Sequence, residues 1–245
     1  VDVFLDLYGV VVDSERMARG YRERLADLLF EEFGGSRGAW LEAHDRAWSA
    51  YGKKADAIDW ESEAWIALVD RLDADHIEEI FGRAGVEGRP DDLTSYAREI
   101  EFRVTSGVQA RFPDARTAIE RLRTAGHRVH VATQATDTNA RGALAGAGLL
   151  GAFDRIFTGT TQNARKSSRA YWKELPAAVG ARPDACLVLD DRLDYLESAA
   201  AAGLLAVLVD RARRVPPEEL PSFVQASFRN LASLPHYVET LASRA

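Results

Sequence analysis

From about residue 106 onward the chain alternates regularly between two textures. Short β-branched, apolar runs at 128–133, 156–158, 186–190 and 204–209 are separated by helix-length stretches at 137–148, 166–179 and 194–202. A further helical stretch, 114–125, begins with Asp114 just inside its start and is followed by Gly126. A fifth apolar run opens the chain at residues 1–6. Nearly continuous apolarity marks strands buried on both faces, and strand–helix alternation marks parallel neighbours. The expected class is therefore α/β: a Rossmann-like parallel sheet with helices on both faces and a ligand site beyond the carboxyl ends of its strands.

The pattern is interrupted after the first strand. About 90 residues read as helix throughout, at 15–33, 37–51, 61–72, 75–83 and 91–105. Residues 14–105 hold 21 acids and 13 bases, whereas the rest of the chain holds 17 acids and 18 bases. The same stretch carries Trp40, Trp48, Trp60 and Trp65, which read first as the core of a small helical bundle. The expected division is a core of residues 1–13 and 106–245 with an all-helical cap, 14–105, inserted in it. Residues 215–221 read as a Pro-rich connector into a short helical tail at 236–245.

Composition narrows the function classes. A net charge of -7 concentrated in one region is a poor surface for nucleic acid, which needs clustered Lys and Arg to displace counterions. No apolar run approaches the ~18 residues of a membrane span, and the chain opens without a charged, then apolar, leader, so a cytoplasmic location is expected. The lone Cys186 excludes an intramolecular disulfide and a Cys-based zinc cluster, and reads as buried filler. The expected partner is a small anionic metabolite, with the chain a monomer or homodimer.

Four strand ends bring chemistry to one rim. The first run closes on Asp6, whose buried charge needs compensation. The second closes on Thr133-Gln134, Arg165-Lys166 follows the third, and the fourth closes on Asp190-Asp191. A carboxylate such as Asp6 can attack phosphorus or carbon, splitting a hard hydrolysis into two easier steps. Asp6, Asp190 and Asp191 form an all-oxygen set suited to Mg2+. Thr133 and Gln134 offer hydrogen bonds to an anionic substrate, and Lys166 a compensating charge. The chain has 27 arginines and only four lysines, so a lysine at this place suggests that a compact point charge is wanted.

In these residues the sequence resembles the haloacid dehalogenase superfamily over nearly its whole length. Asp6-Leu7-Tyr8-Gly9-Val10 matches the first motif, Asp-x-Asp-Gly-Thr/Val, with one departure. Thr133 matches the second, Lys166 the third, and Asp190-Asp191 followed by Ala202-Gly203 the fourth. The resemblance implies a helical cap between the first two core strands. It also implies Asp6 as nucleophile, with Tyr8, Thr133 and Lys166 at the positions of its catalytic companions. Magnesium would be held by Asp6, Asp190, Asp191 and the backbone carbonyl of Tyr8.

The departure is Tyr8. Phosphatases of the family carry there the acid that protonates the leaving oxygen, and a phenol, with a reference pKa near ~10, cannot take over that role and the general-base role together. Asp-x-Tyr-Gly resembles the 2-haloacid dehalogenases, whose halide leaves without a proton. Those enzymes work without metal, however, and lack the Asp190-Asp191 pair; their cap arginine has only a loose echo in Arg46. The Gly9–Glu15 segment looks instead like the sugar-phosphate phosphatases. Three readings stay open: a Mg2+-dependent phosphohydrolase using Asp6, a metal-independent dehalogenase-like hydrolase, and a degenerate member that binds a phosphorylated ligand without turning it over.

Overall fold

The computed structural model describes residues 1–60 and 62–243. Glu61, where one predicted helix begins, and Arg244 and Ala245, where the predicted tail ends, lie outside the described residues. In chain order, β1 (Asp2–Leu5) is followed by α1 (Ser14–Phe33), α2 (Arg37–Ala57), α3 (Trp65–Ala84) and α4 (Leu93–Ser106). Then come α5 (Ala115–Thr124), β2 (Arg128–Ala132), α6 (Asp137–Gly146), β3 (Arg155–Phe157), α7 (Gly159–Gln162), α8 (Arg169–Lys173) and α9 (Leu175–Val179). The chain finishes with β4 (Cys186–Asp190), α10 (Leu193–Ala201), β5 (Leu205–Val209), β6 (Val224–Phe228) and α11 (Leu234–Ala242).

The strands form one sheet in the order β3-β2-β1-β4-β5-β6, with every pair parallel. The strand order reverses at β1, which lies between β2 and β4, and such a reversal opens a crevice at the carboxyl ends of the central strands. Phe4, Val188, Ala206 and Leu208 pack with Tyr171, Trp172, Leu175 and Leu196 from the helices that cover one face. Helix α5 turns Ala118, Ile119 and Leu122 inward and packs on β2. Full burial of a larger aliphatic side chain such as Ile119 or Leu122 contributes about 1.5–3 kcal/mol. Cys186 is a free, buried thiol of this core.

The chain divides into two compact units. The first, Val1–Ser14, Arg111–Asp137 and Leu149–Ala245, holds the sheet. The second is all helical and comprises Glu15–Ala110 with Thr138–Gly148. Its core gathers Leu25, Leu29, Trp40, Ile77, Ile80, Phe81 and Ile100. Trp40 and Phe33 both meet the Phe81 ring edge-on, and the Trp40 indole N–H donates to Gly34 O at 2.9 Å. Trp40 and Trp65 are thus core residues, as expected, whereas Trp48 is 57% exposed. Helix α6 joins this unit through two glycines: a Cβ at Gly142 would fall 2.0 Å from Thr105 Oγ1, and one at Gly146 would fall 2.4 Å from Val108 O.

The secondary structure departs from the sequence reading in three places. The helices expected at 61–72 and 75–83 are one helix, α3, running through Asp73 to its left-handed cap at Gly85. Asp73-Ala74-Asp75 looks like a break, but the Asp73 carboxylate accepts from Tyr51 Oη at 2.9 Å and stays within the helix. The helix expected over 166–179 is two short pieces, the first capped by Ser168 Oγ on Ala170 N and the second carrying Pro176 in its first turn. Strand β6 was not anticipated; its residues alternate between half-buried and exposed.

Candidate active site

Asp6 follows the last residue of β1, and its amide donates to Leu189 O at 2.9 Å, tying the strand end to β4. Asp190 is the last residue of β4. Lys166 reaches both from the loop between α7 and α8. Its ammonium lies 2.6 Å from Asp6 Oδ1 and 2.5 Å from Asp190 Oδ2, and its side chain is fully buried. The backbone around it is pinned on both sides: the Lys166 amide donates to Gln134 Oε1 at 2.5 Å, and Lys166 O accepts from Trp172 Nε1 at 2.8 Å. The ammonium also faces the rings of Tyr195 and Trp172, at 5.3 and 5.6 Å from their centroids. Aromatic faces stabilise a desolvated cation, so this cage compensates part of the burial.

Burial sets the electrostatics. It pushes the Asp6 carboxyl up to about 8, although Lys166 pulls it down; Asp190 and Asp191 push it further up. Asp190 is likewise raised, by burial first and against Lys166. Burial alone would lower Lys166, yet Asp190 and Asp6 hold it above the ordinary lysine range. Two buried carboxylates sharing one ammonium therefore leave this site short of positive charge.

A third carboxylate completes the cluster: Asp6, Asp190 and Asp191 each place an oxygen within 4.8 Å of the others. Oxygen donors so gathered, and this shortage of positive charge, fit a hard divalent cation such as Mg2+. The turn after β1 is shaped to admit Asp191. Gly9 has φ +81, and a Cβ there would stand 2.6 Å from Asp191 Cγ. The turn is held by its own backbone, with Gly9 N donating to Val12 O at 2.8 Å and Val12 N to Leu7 O at 2.7 Å.

The other predicted residues are placed as follows. Thr133 is buried just beyond β2; its amide donates to Phe157 O at 2.9 Å, and its hydroxyl accepts from the Ala135 amide at 3.3 Å. Gln134 Nε2 is buried and has no hydrogen-bond partner among the described residues, which leaves a donor for an incoming group. Tyr8 is half-buried and forms an isolated backbone bridge with Val12. Arg165 is exposed, whereas Lys166 is buried and meets the carboxylates of Asp6 and Asp190. Arg46, the loose echo of a dehalogenase arginine, is exposed and ion-paired with Glu42.

Sequence reasoning missed Trp172 and Tyr195, which face the lysine, Tyr171, which packs against Trp172, and two arginines that follow β5. Arg211 donates to Val10 O at 2.6 Å and forms a bidentate pair with Asp114 at 3.1 and 3.0 Å, bracing the turn after β1. Arg214 reaches Asp191. The aromatic pair five residues beyond Lys166 was the available signal for the cage; nothing in the sequence separates Arg211 or Arg214 from the other arginines.

A parallel sheet that reverses order at β1, an aspartate at that strand's end, a buried lysine beside it and an inserted helical region define a hydrolase-type site on a Rossmann-like core. A family model described as haloacid dehalogenase-like hydrolase matches residues 3–203, and the chain belongs to that family. It is 30% identical over 182 residues to Phosphatase MT3486 of Mycobacterium tuberculosis, covering 63% of this chain and 82% of that protein. Among solved structures it resembles a HAD phosphatase from Thermococcus onnurineus, with a TM-score of 0.65, 20% identity and 97% of each chain covered. It resembles the defluorinating L-2-haloacid dehalogenase Rha0230 equally well, with a TM-score of 0.67, 16% identity, and 97% of this chain and 94% of that one covered. At such identities these two likenesses are likenesses of fold. No helix among the described residues is long and apolar enough to cross a membrane.

Proposed function

We propose that the protein is a Mg2+-dependent phosphohydrolase that acts on a small phosphorylated metabolite with Asp6 as nucleophile. The observation that carries this reading is the cluster of three carboxylates, Asp6, Asp190 and Asp191, built around one buried ammonium. The kinship with a named phosphatase supports it. Asp6, Asp190, Asp191 and the Tyr8 carbonyl would hold the ion. When bound, magnesium neutralises charge on the phosphoryl oxygens.

Lys166 engages Asp6 through Oδ1, which leaves Oδ2 as the attacking oxygen. Attack by that oxygen forms an Asp6–phosphorus bond and breaks the bond from phosphorus to the leaving oxygen. Water then attacks the same phosphorus, releasing phosphate and regenerating the Asp6 carboxylate. Lys166, Thr133 and Gln134 orient the phosphoryl oxygens. With Tyr8 where a carboxylic acid would protonate the leaving group, the favoured substrates are those whose leaving group departs without full protonation, such as acyl phosphates. The helical insertion, residues 14–105, serves as the cap that selects among them.

Phosphate release from a panel of phosphoesters and acyl phosphates with magnesium, lost in Asp6→Asn, is the expected result; no release from any of them would overturn the reading. The Asp6-Leu7-Tyr8-Gly9 motif favours a second reading, attack by Asp6 on carbon with loss of halide. Halide release from 2-haloacids that persists under a metal chelator would establish it. A chain that releases neither product, yet binds a phosphorylated ligand, would be a degenerate member of the family.

A further inference from the structure

We propose that Arg214 is a positioning residue that holds Asp191 in place of a divalent cation and competes with that cation for it. The inference rests on the magnesium reading above. Arg214 Nη2 lies 3.1 Å from Asp191 O and 3.2 Å from Asp191 Oδ2, so one guanidinium nitrogen clasps both the backbone and the carboxylate.

The loop that delivers Arg214 is built for the purpose. At the end of β5 the Asp210 amide donates to Phe228 O at 2.8 Å. The Asp210 carboxylate then accepts from the amides of Arg214 at 2.9 Å and Val215 at 2.8 Å. Between them Arg213 takes φ 55, the left-handed region that a side chain disfavours. A strained backbone residue persists where its surroundings over-determine it. Here the Asp210 clasp does so, and the result is a backbone that brings the Arg214 guanidinium to the third carboxylate of the cluster.

The distribution of cations says which one yields. Lys166 serves Asp6 and Asp190 and is fully buried, so withdrawing it would strand two charges. Arg214 serves only Asp191 in the cluster, and its side chain is 58% exposed. Water can replace its contact at little cost, because exposed ion pairs are weak. An entering cation that takes an Asp191 oxygen therefore displaces Arg214 and leaves Lys166 in place. Arg214 sets the affinity of the site by opposing the ion it gives way to.

Manganese binding to the full chain, followed by the loss of the free-ion electron paramagnetic resonance signal, tests this without reference to turnover. Arg214→Gln is expected to bind Mn2+ roughly fivefold tighter than the unaltered chain, and Arg214→Lys, which keeps the charge, to stay within about twofold. In Asp191→Asn the Arg214→Gln substitution should no longer change the affinity. Unaltered or weaker binding in Arg214→Gln would overturn the inference, as would equal tightening in Arg214→Lys. Absence of Mn2+ binding in both the unaltered chain and Arg214→Gln would overturn the magnesium reading and the inference with it. Matching thermal melts would establish that the variants are folded.

Discussion

The backbone of Gly9 passes directly against the carboxylate of Asp191: the place where a Cβ would stand at residue 9 is 2.6 Å from both Cγ and Oδ2 of that aspartate. Gly9 is therefore required twice, by its positive φ and by this contact. Gly9→Ala is expected to cost about 1–2 kcal/mol for the left-handed backbone alone, lowering the melting temperature by about 2–4 °C per kcal/mol. It should also push Asp191 away and reduce phosphate release at least roughly tenfold, since small misplacements of a reacting constellation are costly. Circular dichroism melts and steady-state turnover check both parts; an alanine variant with unaltered turnover would refute the second.

Tyr8 is expected to limit the protein on substrates with poor leaving groups. Tyr8→Asp should raise the hydrolysis of alkyl phosphates by about 100-fold or more, the usual worth of a placed general acid, while changing acyl phosphates far less. Parallel assays on one alkyl and one acyl phosphate decide it. A variant that gains on neither would show that proton supply at residue 8 is not what restrains the reaction.

Tyr171 ties two strand ends together, with its hydroxyl 2.9 Å from both Thr133 O and Phe157 O. Tyr171→Phe keeps the ring and removes the only proton offered by that hydroxyl. The expected loss is about 1–2 kcal/mol of stability, the cost of a buried polar group losing its partner. Urea denaturation measures it, and a variant as stable as the unaltered chain would count against the bridge.

The helical unit should carry an acid-sensitive element at His76. Burial pushes this imidazole down to about 4; the charge of His44 adds to that, whereas Glu79 opposes it. Its ring lies among those of Tyr51, Trp48 and His44, at 5.2, 5.9 and 6.1 Å. The unfolded chain binds a proton below about pH 6.5 that the folded chain refuses until about 4. Stability is therefore complete above 6.5 and falls as pH drops towards 4, by at most ~3 kcal/mol. His76→Phe should flatten that acid limb in urea titrations at pH 7, 6 and 5; an equally steep limb would assign the effect elsewhere.

How much of this could be read beforehand follows from what burial does to sequence. Strands β1, β2, β4 and β5 are almost wholly buried, so they are nearly continuous apolar runs and are legible. Strand β6 lies at the sheet edge with two of its five residues exposed, and Val224-Gln225-Ala226-Ser227-Phe228 carries too little contrast to announce itself. Asp6 and Asp190 were legible because charge at the end of an apolar run is costly and so demands a reason, and Lys166 because it is one of only four lysines in a chain of 27 arginines. The aromatic cage was not, because Trp172 and Tyr195 look like ordinary core residues until Lys166 is seen to be buried against them. Arg211 and Arg214 are hidden by number in a chain of 27 arginines. Only the pairing of β5 with β4 reveals which of them the site uses.

That pairing bears on how the protein can be cut. The family model's match ends at residue 203, yet β5 begins at Leu205 and supplies the neighbour of β4, the strand that carries Asp190. A fragment trimmed where the match ends would expose the backbone of β4 as a raw, sticky edge. It would also release the Val10 carbonyl from Arg211 and Asp191 from Arg214. The span that the family model matches is thus shorter than the sheet that holds Asp190 in place.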